Sequence, residues 1–194
     1  MDNQNNSSPA IFLDRDGVII ENRADYVRCW HDVEIFPQAL DALARLRQWP
    51  GKIVIVTNQS VVGRRLISLQ EAQDINRRLL REIETAGGRI DAVYMCPHAP
   101  DDNCACRKPL PGMLTQAARD LQIKLTQSIM IGDALTDLAA GRAAGVSEVA
   151  LVRTGHGQEQ VASPAANKMA PFAVYNTLSD ALQEMTPVTN ADTS

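Results

Sequence analysis

The sequence predicts an α/β protein built on one doubly wound parallel sheet, Rossmann-like, with helices on both faces. Three observations predict it. Apolar runs too short for helices recur along the chain, and each stops at polar residues. Stretches with apolar residues at helical spacing separate those runs. Two of the runs end in acids, at Asp14-Arg15-Asp16-Gly17 and at Gly132-Asp133. Open parallel sheets bind their ligands beyond such carboxyl ends.

The first strand is Ala10-Ile11-Phe12-Leu13, and residues 1–9 before it read as a disordered tail. Residues 14–36 carry few regular signals and read as a flap over the strand end, without a core of its own. Pro37 opens a helix, because proline at the first position gives up an N–H that has no helical partner anyway. Ala39, Leu40, Leu43 and Leu46 form its stripe, and it stops before Pro50-Gly51. Lys52-Ile53-Val54-Ile55-Val56 is the second strand, ending at Thr57-Asn58-Gln59-Ser60. Ser68, with Glu71 after it, forms a capping box for a long helix that Gly87-Gly88 ends. Ala92-Val93-Tyr94-Met95 is the third strand, ending at Cys96. Pro111-Gly112 starts a helix to about Leu121, and Ile129-Met130-Ile131 is the fourth strand. Asp137 to Ala144 is helical and closed by Gly145. Val149-Ala150-Leu151-Val152 is the fifth strand; Phe172–Tyr175 is a sixth, followed by a helix near Leu178–Met185. Residues 10–186 make a single domain, and 187–194 a polar tail.

The net charge of −4 leaves no basic field to hold nucleic acid or an anionic membrane. No apolar run approaches the ~20 residues of a membrane span. The first residues, Met1-Asp2-Asn3-Gln4-Asn5-Asn6, lack the basic start and apolar stretch of a signal peptide, so a cytoplasmic protein is expected. Aromatic residues are 4% of the chain and suggest no sticky face, which favours a monomer.

The strand ends supply an inventory. Asp14 and Asp16 follow the first strand, Thr57 the second, the loop to Lys108 the third, and Asp133 the fourth. Carboxylates crowded at one strand end are costly unless a cation neutralises them. Oxygen ligands from few residues suit Mg2+, which keeps waters and shares its shell with a phosphate. A lysine and a hydroxyl aimed at the same place suit the oxygens of a transferring phosphoryl group. A carboxylate can also act as a covalent nucleophile.

Three of the four cysteines fall close together, in Cys96-Pro97-His98 and Cys104-Ala105-Cys106. Three thiolates and an imidazole complete a tetrahedral Zn2+ shell with no open position, the mark of a structural site. The loop 96–108 is polar and has little apolar surface with which to order itself, so the metal supplies the ordering free energy. Arg107-Lys108-Pro109 follows the last ligand directly, so zinc fixes the loop that presents Lys108. Arg107 is a natural bidentate partner for a second anionic group on a substrate. Cys29 and Trp30 read as packing residues, and His31 and His156 as surface or structural ones.

Asp14-Arg15-Asp16-Gly17, Thr57-Asn58-Gln59-Ser60, Lys108, and Gly132-Asp133 with Asp137 resemble, in order, the four motifs of the haloacid dehalogenase superfamily of phosphatases. The resemblance implies that Asp14 is the nucleophile and Asp16 the acid and base. It implies that Mg2+ is held by the side chains of Asp14 and Asp133 and the carbonyl of Asp16. Thr57 and Lys108 would hold phosphoryl oxygens, with Asp137 behind them. Val18 stands where a threonine is common, and Val61-Val62-Gly63-Arg64-Arg65 replaces a glycine-rich continuation. The zinc loop resembles a small branch without a large cap domain, which includes phosphatases of a heptose 1,7-bisphosphate and of histidinol phosphate. The expectation is removal of the 7-phosphate of the heptose bisphosphate. Histidinol phosphate is the alternative, with Glu21 and Asp25 available to an amine. A zinc-loop interaction module without catalysis is the alternative from another class. Asn58, Gln59 and Ser60, and Asn22, Arg23, Asp25 and Tyr26 of the flap, are the further candidates to touch a phosphorylated sugar.

Overall fold

The computed structural model describes residues 7–169 and 171–186; the polar tail at 187–194 lies outside them. Six parallel strands form one sheet in the order β3-β2-β1-β4-β5-β6. They are β1 (Ala10–Leu13), β2 (Lys52–Asn58), β3 (Ala92–Cys96), β4 (Ile129–Gly132), β5 (Glu148–Val152) and β6 (Ala173–Tyr175). The chain builds outward from β1 through β2 to β3, then returns to lay β4 on the other side of β1. Strand order therefore reverses between β1 and β4, and a crevice opens beyond their carboxyl ends. Ile11 pairs with Ile53 on one side and Ile129 on the other, so β1 is fully interior.

Alternation along the strands feeds two cores. Ile11, Leu13, Ile53 and Ile55 face α1 (Pro37–Arg45), α3 (Leu69–Thr85) and α8 (Leu178–Met185), meeting Leu43, Leu79 and Leu182. Phe12, Val54, Val56 and Met130 face the other way, toward Leu114 of α4 (Gly112–Asp120) and Leu138 of α5 (Leu135–Ala144). Both faces are thus covered by helices, as doubly wound sheets require. The Ser68–Glu71 capping box starts α3 as expected, and Gly145 closes α5 in the left-handed conformation. No helix among the described residues is long and apolar enough to cross a membrane.

Several expectations are corrected. Of the expected tail 1–9, residues 1–6 lie outside the described residues, whereas Ser8 and Pro9 are tied to the fold: Ser8 N–H donates to the carbonyl of Gln122, and the carbonyl of Pro9 accepts from Lys52 N–H. The segment 14–36 is less free than a flap, because Val18, Ile19, Ile20 and Val27 are buried in the main core. Phe36 N–H donates to the carbonyl of Ile19, which ties the end of the excursion to its start. Cys29 is exposed and does not pack, whereas Trp30 lies against the core with the guanidinium of Arg78 4.5 Å from its ring. β2 runs two residues past Val56 because its pairing with β3 continues to Asn58↔Cys96. Three short helices, α2 (Ser60–Gly63), α6 (Gly157–Ala162) and α7 (Pro164–Met169), have no apolar stripe to announce them. Tertiary contact holds them instead: a Cβ on Gly157 would stand 1.7 Å from the carbonyl oxygen of Val152.

Candidate active site

Asp14 leaves β1 with its N–H donating to the carbonyl of Ile131 on β4, which seats it at the strand-order reversal. Its Oδ1 accepts from the N–H of Arg15 at 2.7 Å and lies 2.9 Å from Nζ of Lys108. Lys108 is fully buried, and Nζ also reaches Asp137 Oδ1 at 2.7 Å and the carbonyl of Val56 at 2.7 Å. Burial alone would lower the Lys108 pKa, but the carboxylates of Asp137 and Asp14 outweigh it and hold the ammonium above the ordinary lysine range.

The carboxyl-rich side of the site is crowded. Oxygens of Asp14, Asp133 and Asp137 lie within 4.8 Å of one another. Burial pushes Asp14 well above the usual carboxylate range; Lys108 opposes the shift and the neighbouring acids add to it. Asp133 is pushed up to about 6 by burial and then by Asp137, against the donors that hold it. Those donors are Nδ2 of Asn22 at 2.7 Å and the N–H of His156 at 2.8 Å, both on Oδ2. One ammonium among three clustered acids, two of them buried, leaves an excess of negative charge. A hard divalent cation such as Mg2+ fits that donor set.

Gly17 makes the crowding possible. It has φ +78, and a Cβ there would stand 2.0 Å from Asp133 Oδ2. The loop after β5 closes the same corner: Thr154 Oγ1 donates to the carbonyl of Gly17 at 2.6 Å.

Asp16 also borders the crevice, outside the cluster of Asp14, Asp133 and Asp137. Its Oδ2 accepts from Arg15 Nε at 3.0 Å, Gln59 Nε2 at 2.8 Å and Thr57 Oγ1 at 3.4 Å, and Oδ1 accepts from Arg15 Nη2 at 3.1 Å. Arg15 itself is 1% exposed and completes its fork on Asn76 of α3, with Nη1 donating to Oδ1 at 2.7 Å.

A crevice of about 370 Å³ opens over these groups. Asp14, Asp16, Asp133, Asn22, Arg23, Tyr26, Asn58, Gln59, Ser60 and Arg107 all border it, so most sequence candidates converge. Asp25 does not: it is exposed outside the crevice, and its carbonyl accepts from Arg28 Nε. Tyr26, next to it, is in the left-handed region with φ 65. Thr57 is fully buried beside Asp16 rather than on the crevice wall. Asn58 borders the crevice, but its amide is engaged: Nδ2 donates to the carbonyl of Lys108, and Oδ1 accepts from Lys108 N–H. Sequence reasoning passed over Arg15 and Asn76, and it read His156, which borders the crevice, as surface or structural. The strand-end rule applied to β5 would have found His156, since Arg153-Thr154-Gly155-His156 follows Val152 directly.

The cysteine loop gathers as expected. Cys96, His98, Cys104 and Cys106 converge, with Sγ–Sγ distances of 3.2 to 3.6 Å and His98 Nδ1 at 3.3 Å from Cys106 and 3.6 Å from Cys96. Zinc–sulfur bonds of about 2.3 Å imply tetrahedral edges of roughly 3.7 Å, so the cluster has the size to hold Zn2+, slightly tight. Without a cation these thiols compete for charge: burial pushes Cys96 up to about 12. Arg107 leaves the cluster with Nη1 donating to the carbonyl of His98 at 3.4 Å. Gly63 of α2 packs on the same loop, where a Cβ would stand 2.3 Å from Ala99 N.

Known proteins match this arrangement. A family model described as HAD-hydrolase-like matches residues 105–181. The D-glycero-beta-D-manno-heptose-1,7-bisphosphate 7-phosphatase of Bordetella bronchiseptica is 41% identical over 152 residues, covering 78% of this chain and 84% of that protein. A D-glycero-alpha-D-manno-heptose-1,7-bisphosphate 7-phosphatase of Mycobacterium tuberculosis is 44% identical over 132 residues, covering 66% and 68%. The crystal structure of D,D-heptose 1,7-bisphosphate phosphatase from B. bronchiseptica, complexed with magnesium and phosphate, superposes with a TM-score of 0.84 at 36% identity, covering 92% of this chain and 98% of that one. With such identity sustained over most of both chains, this protein belongs to the haloacid dehalogenase-like hydrolases, in the branch that its heptose bisphosphate phosphatase relatives occupy.

Proposed function

We propose that the protein is a Mg2+-dependent phosphatase that removes the 7-phosphate of D-glycero-D-manno-heptose 1,7-bisphosphate through an aspartyl-phosphate. The observation that carries the substrate reading is the rim of the crevice. Arg107 and His156 border the same crevice as the acids, where a second phosphate on the substrate would meet them, while the Arg23 guanidinium there is held by Glu34 and the carbonyl of Asp32. Histidinol phosphate carries an amine instead, and the acids that would receive it are not there: Glu21 and Asp25 do not border the crevice. The names of the relatives point the same way, and a catalytic constellation in this family leaves no support for a non-catalytic zinc module.

Asp14 is the nucleophile in this reading. Its carboxylate oxygen bonds to phosphorus as the bond from phosphorus to the sugar oxygen breaks. Asp16 gives that oxygen its proton. Asp16 then takes a proton from the water that attacks phosphorus, which releases phosphate and restores Asp14. Lys108 balances charge on Asp14 and is kept in place by Asp137 and Val56. The side chains of Asp14 and Asp133 and the carbonyl of Asp16 would hold Mg2+, which supplies charge neutralisation for the phosphoryl oxygens. Thr57 holds the hydroxyl side of the site beside Asp16. Tyr26 and Ser60, which border the crevice, would touch the sugar. Zn2+ on Cys96, His98, Cys104 and Cys106 is structural and fixes the segment that carries Arg107 and Lys108. Soluble monomeric action in the cytoplasm suits a charged metabolite and a thiol-rich site that needs reducing conditions.

Initial-rate measurements on the heptose bisphosphate and on histidinol phosphate, with Mg2+ present, test the assignment. The heptose ester should show the higher kcat/KM, with one phosphate released per molecule. A preference for histidinol phosphate would overturn the substrate, and inactivity on both would overturn the reaction.

A further inference from the structure

Arg15 is a charge buried without an obvious need. Taking a guanidinium out of water costs several kcal/mol unless it is paired and fully hydrogen-bonded. Its partners here are specific. Nε and Nη2 make a fork on the two oxygens of Asp16, at 3.0 and 3.1 Å. Nη1 is anchored by Asn76 Oδ1 at 2.7 Å, on a helix 61 residues away in sequence. Asn76 is fixed in turn, with Nδ2 donating to Sδ of Met95 at 3.6 Å. The side chain of Arg15 is 1% exposed and that of Asp16 is 23% exposed, so the fork lies behind the carboxylate and leaves its front toward the crevice.

We infer that Arg15 is a positioning residue for the proton-transfer group: it orients Asp16 and receives the negative charge that Asp16 acquires on giving up its proton, with Asn76 as its anchor. This inference rests on the proposed phosphatase reaction. In the first step the proton leaves Asp16 for the sugar oxygen, and the carboxylate so formed is already paired by two N–H groups. In the second step the same carboxylate is held with an oxygen open to the attacking water. A bidentate guanidinium fixes the plane of a carboxylate as well as its charge, which an ammonium cannot do. Gln59 Nε2, at 2.8 Å, supports the same orientation from the side.

The discriminating property is the leaving group. A sugar oxygen departs poorly without a proton, whereas the phenolate of p-nitrophenyl phosphate needs none. Single-turnover phosphorylation of the enzyme by the heptose bisphosphate and by p-nitrophenyl phosphate, with Mg2+ present, is measured by rapid quench for wild type, Arg15→Met, Arg15→Lys and Asn76→Ala. General acid catalysis contributes typically about 10²–10⁴-fold, so Arg15→Met should slow the sugar reaction roughly a hundredfold and the aryl reaction far less. Arg15→Lys keeps a charge but not the fork and should fall between. Asn76→Ala should show a smaller loss of the same selectivity. With p-nitrophenyl phosphate the variants should also accumulate phosphoenzyme, because the second step still needs Asp16. Equal losses on both esters, with a lowered Tm, would make the pair purely structural and overturn the inference. If Arg15→Met does not fold, the other two variants decide by the same ratio. A wild type inactive on both esters would overturn the phosphatase reading and this inference together.

Discussion

Nζ of Lys108 lies 2.7 Å from Oδ1 of Asp137, and both side chains are 1% exposed. Asp137 has a second duty at the start of α5, where its Oδ2 accepts from Ala134 N–H at 3.0 Å. Two variants separate the duties. Asp137→Ala removes a buried partner and the helix cap, and should cost about 3–5 kcal/mol in denaturant unfolding. Asp137→Asn keeps an oxygen for the cap but not the charge. It should unfold closer to wild type while kcat falls, because Lys108 is then balanced by Asp14 alone. Wild-type kcat in Asp137→Asn would show that the pair does not set the position of Lys108.

Asn58 was a candidate to touch substrate, and its amide turns out to hold the backbone of Lys108 on both sides. Asn58→Ala leaves a buried N–H and carbonyl without partners, a loss of about 1–3 kcal/mol. Zinc content, measured by elemental analysis, should stay at one per chain. A fall in kcat with little change in KM is expected, since the residue positions Lys108 rather than binding sugar. A rise in KM at constant kcat would return Asn58 to the substrate.

Removing zinc should act on the same segment from the other end. Cys104→Ser breaks a four-ligand set that leaves no spare donor. The variant should lose zinc, show faster proteolysis around residues 97–107, and lose activity through Arg107 and Lys108. The acids across the crevice should be untouched, so Mn2+ binding followed by electron paramagnetic resonance should match wild type. Full activity in the zinc-free variant would separate the loop from the chemistry.

Metal-free protein should respond to pH in a definite direction. Asp133 is pushed up to about 6, above its ordinary value of 3.8. A raised folded pKa means the fold disfavours the carboxylate, a penalty present above about pH 6 and relieved as pH falls toward 4. The metal-free Tm should therefore rise between pH 7 and pH 5.5, and saturating Mg2+ should flatten that slope. A metal-free Tm that falls over this interval would contradict the crowding of Asp14, Asp133 and Asp137.

The strands, their parallel arrangement and the convergence of most candidate residues were legible because they follow from one-dimensional signals. Apolar runs that end in Asp14, Thr57 and Asp133 mark strand ends, and strand ends of a parallel sheet meet. The cysteine spacing carried the metal cluster for the same reason, since four ligands within eleven residues leave few other arrangements. What stayed hidden depends on direction in space. Arg15 sits between two acids, and nothing in the spacing says whether its guanidinium turns to solvent or inward to Asn76. Asn22 looked free to meet a sugar, yet it caps Asp133 from 111 residues away. Asp25, two residues from Arg23, is exposed outside the crevice although Arg23 and Tyr26 on either side border it. The segment Val18–Ile20 resembled loop because three apolar residues have no periodicity to read, although all three are buried.

The nucleophile is the centre of the account, and chemical trapping tests it most directly. Acid quench of the enzyme during turnover of the heptose bisphosphate with Mg2+, followed by borohydride reduction, converts an aspartyl-phosphate to homoserine. Peptide sequencing by mass spectrometry should place homoserine at position 14, and Asp14→Asn should give none while keeping its fold and zinc. Homoserine at another acid, or substantial turnover by Asp14→Asn, would contradict the assignment.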